Sequence, residues 1–72
     1  MKRVFKAVCV YENGGKDEAT VVVTSEGQSI FQVAWEISNG ERDRAVMEGT
    51  SAEEVFLEWC EANDFVQVAS DE

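Results

Sequence analysis

The side chains able to do chemistry in this 72-residue sequence are chiefly fifteen aspartates and glutamates, two cysteines and one tyrosine, and there is no histidine. Carboxylates can serve as general acids and bases, and a thiolate can attack an electrophile. Each needs a partner to be useful. Without histidine the chain has no base that titrates near neutral pH and no Ser-His or Cys-His pairing, and it carries no glycine-rich phosphate loop. Two cysteines without histidine do not complete a tetrahedral zinc site within one chain. The acidic run Glu41-Arg42-Asp43-Arg44 interposes two arginines where a calcium loop would need oxygen ligands. The sequence is therefore read as that of a non-enzymatic protein with no cofactor or metal, whose carboxylates lie on a solvated surface. Cys9 and Cys60 either approach one another or sit apart as buried thiols. The second is expected, because a free thiol packs as a small apolar group and stapled secreted domains of this size usually carry four or more cysteines.

The elements that would position these groups are legible as periodicities. Residues 4–11, 19–24 and 30–38 are rich in Val, Phe, Ile, Trp and Tyr, and glycine-bearing turns bound them. The turns are Glu12-Asn13-Gly14-Gly15-Lys16, Ser25-Glu26-Gly27 and Ser38-Asn39-Gly40; the last two predict three-residue hairpin loops with glycine in the left-handed position. Side chains on a strand alternate faces, and the odd positions carry Phe5, Ala7, Cys9, Ala19, Val21, Val23, Phe31, Val33, Trp35 and Ile37. Loops of odd length keep these on one face. A three-residue loop at Ser38-Asn39-Gly40 sets Val33 against Ala45, Phe31 against Met47 and Glu36 against Arg42, whereas a two-residue turn would oppose Glu36 to Asp43. A fourth strand is therefore expected over 42–48.

A helix follows. Ser51 with Glu54 three positions on forms a capping box, and Glu53 and Glu54 sit in the first turn, where the helix dipole favours negative charge. Ala52, Val55, Phe56, Trp59 and Ala62 recur at helical spacing as an apolar stripe, with Glu54, Glu58 and Glu61 opposite. Asn63-Asp64 ends the helix, and residues 65–68 could return as a short fifth strand before an acidic tail. The reading is a single α+β domain over 1–72: an antiparallel four-stranded meander, with an optional fifth strand, packed against one C-terminal helix.

Charge restricts the partners. Six lysines and arginines against fifteen acids leave a net charge of −9, so a nucleic acid backbone or an anionic membrane would repel the chain, and direct contact with either is not expected. The apolar run near the start is interrupted by Lys6 and lacks the features of a signal peptide or a spanning helix, so the protein is read as cytoplasmic. From Ala45 onward the acids Glu48, Glu53, Glu54, Glu58, Glu61, Asp64, Asp71 and Glu72 meet no base. They would either steer a partner with a basic surface towards the helix or simply keep a small protein soluble. Leu57 falls among these acids and should be exposed, and Tyr11, beside the longest turn, offers apolar area with a hydrogen-bonding tip. The outer sheet face, with Val4, Val8, Val10, Val22 and Ile30, would be left uncovered by one helix, so a partner or a second copy in a homodimer could cover it.

Val10-Tyr11-Glu12-Asn13-Gly14 followed by Lys16, then Ala19 and Val21, and later Ser51, Glu54 and Trp59, resemble the small phage-encoded anti-CRISPR inhibitors, in particular one that blocks the type I-F surveillance complex. The resemblance spans residues 8–60. It implies an antiparallel sheet with helical packing and stoichiometric binding to the backbone subunits of the complex, where target DNA must hybridise, inside the host cell. It matches Tyr11 to a contact tyrosine. The pattern departs where an acidic contact residue is replaced by Val22, and an N-terminal tyrosine has no counterpart. The candidate contact set is Tyr11, Glu12 and Asn13 on the first turn with Glu54, Leu57, Glu58 and Glu61 on the helix. The alternative is a self-associating structural or regulatory module, such as an antitoxin-like or assembly protein.

Overall fold

Alternating branched and aromatic residues form strands wherever a neighbour can take up their backbone bonds. In the computed structural model, which describes residues 1–68, they do so as β1 (Lys2–Val10), β2 (Lys16–Gly27), β3 (Ile30–Ile37) and β4 (Arg42–Glu48). The helix α1 (Ala52–Asn63) and a two-residue strand, β5 (Val66–Gln67), complete the order. All pairings are antiparallel and the sheet runs β4-β3-β2-β1-β5. The chain leaves the sheet at one edge, crosses one face as α1 and rejoins at the other edge beside Ala7 and Val8. The acidic tail residues Asp71 and Glu72 lie outside the described residues.

The odd-numbered face is the core. Phe5, Ala7, Ala19, Val21, Val23, Phe31, Val33 and Ile37 are buried under Val55, Phe56, Trp59 and Cys60 of α1. The Phe56 ring stacks on Phe5 at 4.5 Å. Trp59 lies between Trp35 and Phe65, at centroid distances of 5.5 and 5.2 Å. The expected β3–β4 register is observed, with Val33 opposite Ala45, Phe31 opposite Met47 and Glu36 opposite Arg42. The loop that sets it is the three-residue Ser38-Asn39-Gly40, closed by Ile37 N–H to the Glu41 carbonyl at 2.8 Å and by Gly40 N–H to the Ile37 carbonyl at 2.9 Å, with Gly40 at φ 99°. The first hairpin has the same construction, with Tyr11 N–H on the Gly15 carbonyl and Gly14 N–H on the Tyr11 carbonyl.

The second hairpin differs from the expected Ser25-Glu26-Gly27 loop. Its turn is Gln28-Ser29, with Ser29 rather than glycine in the left-handed region at φ 62°, and the register shifts between Ser25 and Gly27. A two-residue turn by itself would pair odd with even positions. The one-residue bulge restores the parity, so that Ser25 opposes Phe31 and Val23 opposes Val33. β2 is also longer than the 19–24 expected, because it pairs with β1 from Lys16 to Thr24 and so draws Asp17 and Glu18 into the strand.

The helix starts where the cap is. Ser51 accepts from Glu54 N–H at 3.1 Å, but the Glu54 carboxylate reaches past Ser51 to Thr50, accepting from its N–H at 2.6 Å and its hydroxyl at 2.9 Å. These two bonds hold the Glu54 carboxyl below the usual carboxylate range. Ala62 is exposed rather than on the apolar stripe, and Cys60 takes that place. Cys60 lies four residues beyond Phe56 and shares its face, and burial pushes its thiol up to about 11. Both cysteines are free.

Candidate functional site

Even-numbered strand positions form the face away from the helix. Successive rows across the sheet read Lys2, Thr24, Gln32, Val46; then Val4, Val22, Ala34, Arg44; then Lys6, Thr20, Glu36, Arg42. Lys16 also has an even position, so five of the six basic residues lie on this face, accompanied by the strand acids Glu18, Glu36 and Glu48. Arg3, the sixth, is on the helix side, 3.6 Å from Glu53 and with its guanidinium 5.0 Å from the Phe5 ring centroid. A protein of net charge −9 thus has one face on which bases outnumber acids, and its negative charge is concentrated on the opposite side and the loops. A shallow groove of about 280 Å³ on the open face runs between Thr20, Val22, Ala34, Arg42 and Arg44.

The outer apolar residues are contiguous across one row, where Val4, Val22 and Ala34 lie side by side on three strands. Val4, Val10 and Ile30 are exposed, Val8 and Val22 are half-buried, and Lys2 and Lys6 flank the row on either side along β1. Lys6 donates to Thr20 at 3.1 Å, and Lys16 pairs with Glu18 at 3.4 Å.

The helix-borne candidates Leu57, Glu58 and Glu61 project from α1 away from the sheet; Leu57 is 50 % exposed. Neither Glu58 nor Glu61 has an ion-pair partner among the described residues. Glu54 is exposed too, but its carboxylate is committed to Thr50. Glu12 and Asn13 lie in the first hairpin loop and Tyr11 closes it, at the sheet end towards which α1 runs. Asn13 accepts from Gly15 N–H at 2.8 Å, so its side chain braces the loop. The Tyr11 hydroxyl donates to Asp17, and Asp17 also accepts from the Ser38 hydroxyl at 3.4 Å, which ties the two three-residue hairpins together. Among the described residues no hydrogen bond or ion pair joins the hairpin set to the helix set.

The bond to Asp17, then burial and the charge of Asp17, raise the Tyr11 phenol from 10.0 to about 12. The raised value means that Tyr11 contributes stability below its ordinary pKa, and that this contribution is lost as pH rises through about 12. Tyr11 is the one tyrosine in the chain, so phenolate absorbance reports on it alone. The titration midpoint should lie near 12, and Asp17→Ala should return it towards 10. A wild-type midpoint near 10 would show that the bond does not form.

No group of three or more Cys, Asp or Glu side chains among the described residues could hold a metal ion, and none of their helices is long and apolar enough to cross a membrane. Fold and surface together define a small antiparallel α+β domain with two chemically opposed faces. Comparison with protein-family models, with curated proteins and with solved structures finds no match.

Proposed function

We propose that this protein acts by binding, as a stoichiometric inhibitor of a nucleic-acid-binding defence complex of the CRISPR surveillance type, and that α1 presents the contact surface. The observation that supports this reading is the outward face of the helix, where exposed Leu57 is flanked by Glu58 and Glu61 with no base in the last turn. An apolar anchor beside two unpaired carboxylates matches a basic groove in which nucleic acid phosphates would otherwise lie. Tyr11, exposed yet held by Asp17, adds a pre-ordered aromatic surface that costs little entropy to bind.

The test is association with purified surveillance complexes at stepped ionic strength. Binding should weaken as salt rises, because the acids act mainly through steering. Glu58→Lys with Glu61→Lys should slow association by about tenfold or more, while Leu57→Ala should act mainly on dissociation. Absence of binding at low salt, or binding unchanged by all three substitutions, would count against the helix face.

A further inference from the structure

The edge of the sheet at β4 is open, and its residues complement themselves. We infer that β4 pairs antiparallel with β4 of a second copy of this chain across a two-fold axis, joining two sheets into one. This does not depend on the inhibitor reading, since it rests on strand geometry at a separate surface.

Hydrogen bonds at the two ends of β4 fix which of its groups are free. Ile37 N–H meets the Glu41 carbonyl, and Gly49 N–H meets the Ser29 carbonyl. Backbone groups alternate direction along an antiparallel ladder, so Asp43, Ala45 and Met47 turn theirs towards β3. Arg42, Arg44, Val46 and Glu48 therefore turn theirs outwards, and among the described residues β4 has no neighbour on that side. The strand has seven residues, its register with β3 is unbroken, and the chain has no proline. Neither a bulge, a proline nor a very short strand blunts this edge; the one usual device it carries is charge, and Arg42 and Glu48 are charges that a second copy can match.

Charge and strand length together select the register. Pairing centred on Ala45 opposes Arg42 to Glu48 twice and Arg44 to Val46 twice, with Ala45 against Ala45 and Asp43 against Met47. All four outward residues then form hydrogen-bonded pairs with the second copy. Moving the axis to Arg44 would set two arginines against each other; moving it to Val46 would still oppose Arg44 to Glu48 twice, but it would leave Arg42 beyond the end of the partner strand and shorten the ladder, so strand length and charge together favour Ala45. The side chains concerned are exposed in the single chain: Val46 is 66 % exposed, and the arginines and Glu48 are exposed as well. Face-to-face pairing of the open sheets would instead bring the five bases of one copy against those of the other.

Light scattering on the size-excluded protein over a dilution series tests the pairing. The wild type should shift from monomer to dimer as concentration rises. Arg42→Glu and Glu48→Arg should each weaken the dimer by about tenfold, from like charges directly opposed at two sites. The two changes together should restore it. Val46→Pro should abolish dimerisation with the circular dichroism spectrum unchanged, because the N–H it removes does not bond to β3. A wild type that stays monomeric up to its solubility limit would overturn the inference. So would a dimer that survives both Arg42→Glu and Val46→Pro, which would place the contact on another surface.

Discussion

Phe56→Ala is expected to lower the thermal midpoint of the protein by about 12–40 °C. Phe56 is fully buried, and its ring stacks on Phe5 with 8° between the planes. Removing a buried phenylalanine costs about 3–5 kcal/mol, from lost transfer energy and from the cavity left behind. A domain of this length has a total stability of roughly 4–11 kcal/mol, so the substitution removes from about a quarter to all of it. One kcal/mol moves the midpoint of so small a domain by about 4–8 °C, and that cost sets the size of the fall in a thermal melt. Phe5→Ala should cost less, since Phe5 remains 6 % exposed and the Arg3 guanidinium stands over its ring. The double substitution should fall short of the sum of the two, because the first change already removes the stack. A Phe56→Ala melt within about 5 °C of wild type would mean that the helix does not seat this ring in the core.

Trp59 shows why burial alone does not rank these side chains. It is as buried as its neighbours, yet its indole N–H has no hydrogen-bond partner among the described residues. An unmade bond inside a core is a cost that Phe56 does not carry.

The core was legible from the sequence because one rule, the alternation of strand side chains, acts on every strand at once. Odd positions from Phe5 to Ile37 go to the helix side, and the Glu36–Arg42 pairing follows from a loop whose length the charges themselves select. The Ser51 cap and the exposure of Leu57 were legible for the same kind of reason, being fixed by spacings of three and four along one helix. The second hairpin was not. A glycine in Ser25-Glu26-Gly27 looks like the left-handed turn residue, but a two-residue turn with a bulge satisfies parity equally well and local composition does not separate the two. The placement of β5 beside β1 depends on the direction in which the helix crosses, which no local pattern encodes. For the candidate surface the missed signal was available. Lys2, Lys6, Lys16, Arg42 and Arg44 all have even numbers, so the parity that located the core also gathers the bases on the opposite face, although a net charge of −9 directs attention to the acids.

Gly49→Ala should destabilise the protein chiefly through its closest contact, and that contact can be removed to prove it. Gly49 joins β4 to the helix cap and is not among the glycines with positive φ, so its need for a missing side chain is one of space. A Cβ there would lie 2.6 Å from Val55 Cγ2 and 3.1 Å from Glu54 Oε1. Val55 is fully buried and β-branched, with little rotamer freedom in a helix, so it has nowhere to turn. Glu54 is held by Thr50 on the other side. Overpacking of this kind costs about 1–3 kcal/mol, offset by the roughly 0.4–1 kcal/mol that alanine returns by restricting the unfolded chain. Val55→Ala alone should also destabilise, by leaving a cavity. It also deletes the methyl that the new Cβ would strike. Gly49→Ala with Val55→Ala should therefore be more stable than the two separate losses predict, by about 0.5–3 kcal/mol in a chemical-denaturation cycle. If the losses simply add, the strand-to-helix connection does not pack on Val55, and the entry of the helix onto the sheet must be drawn differently.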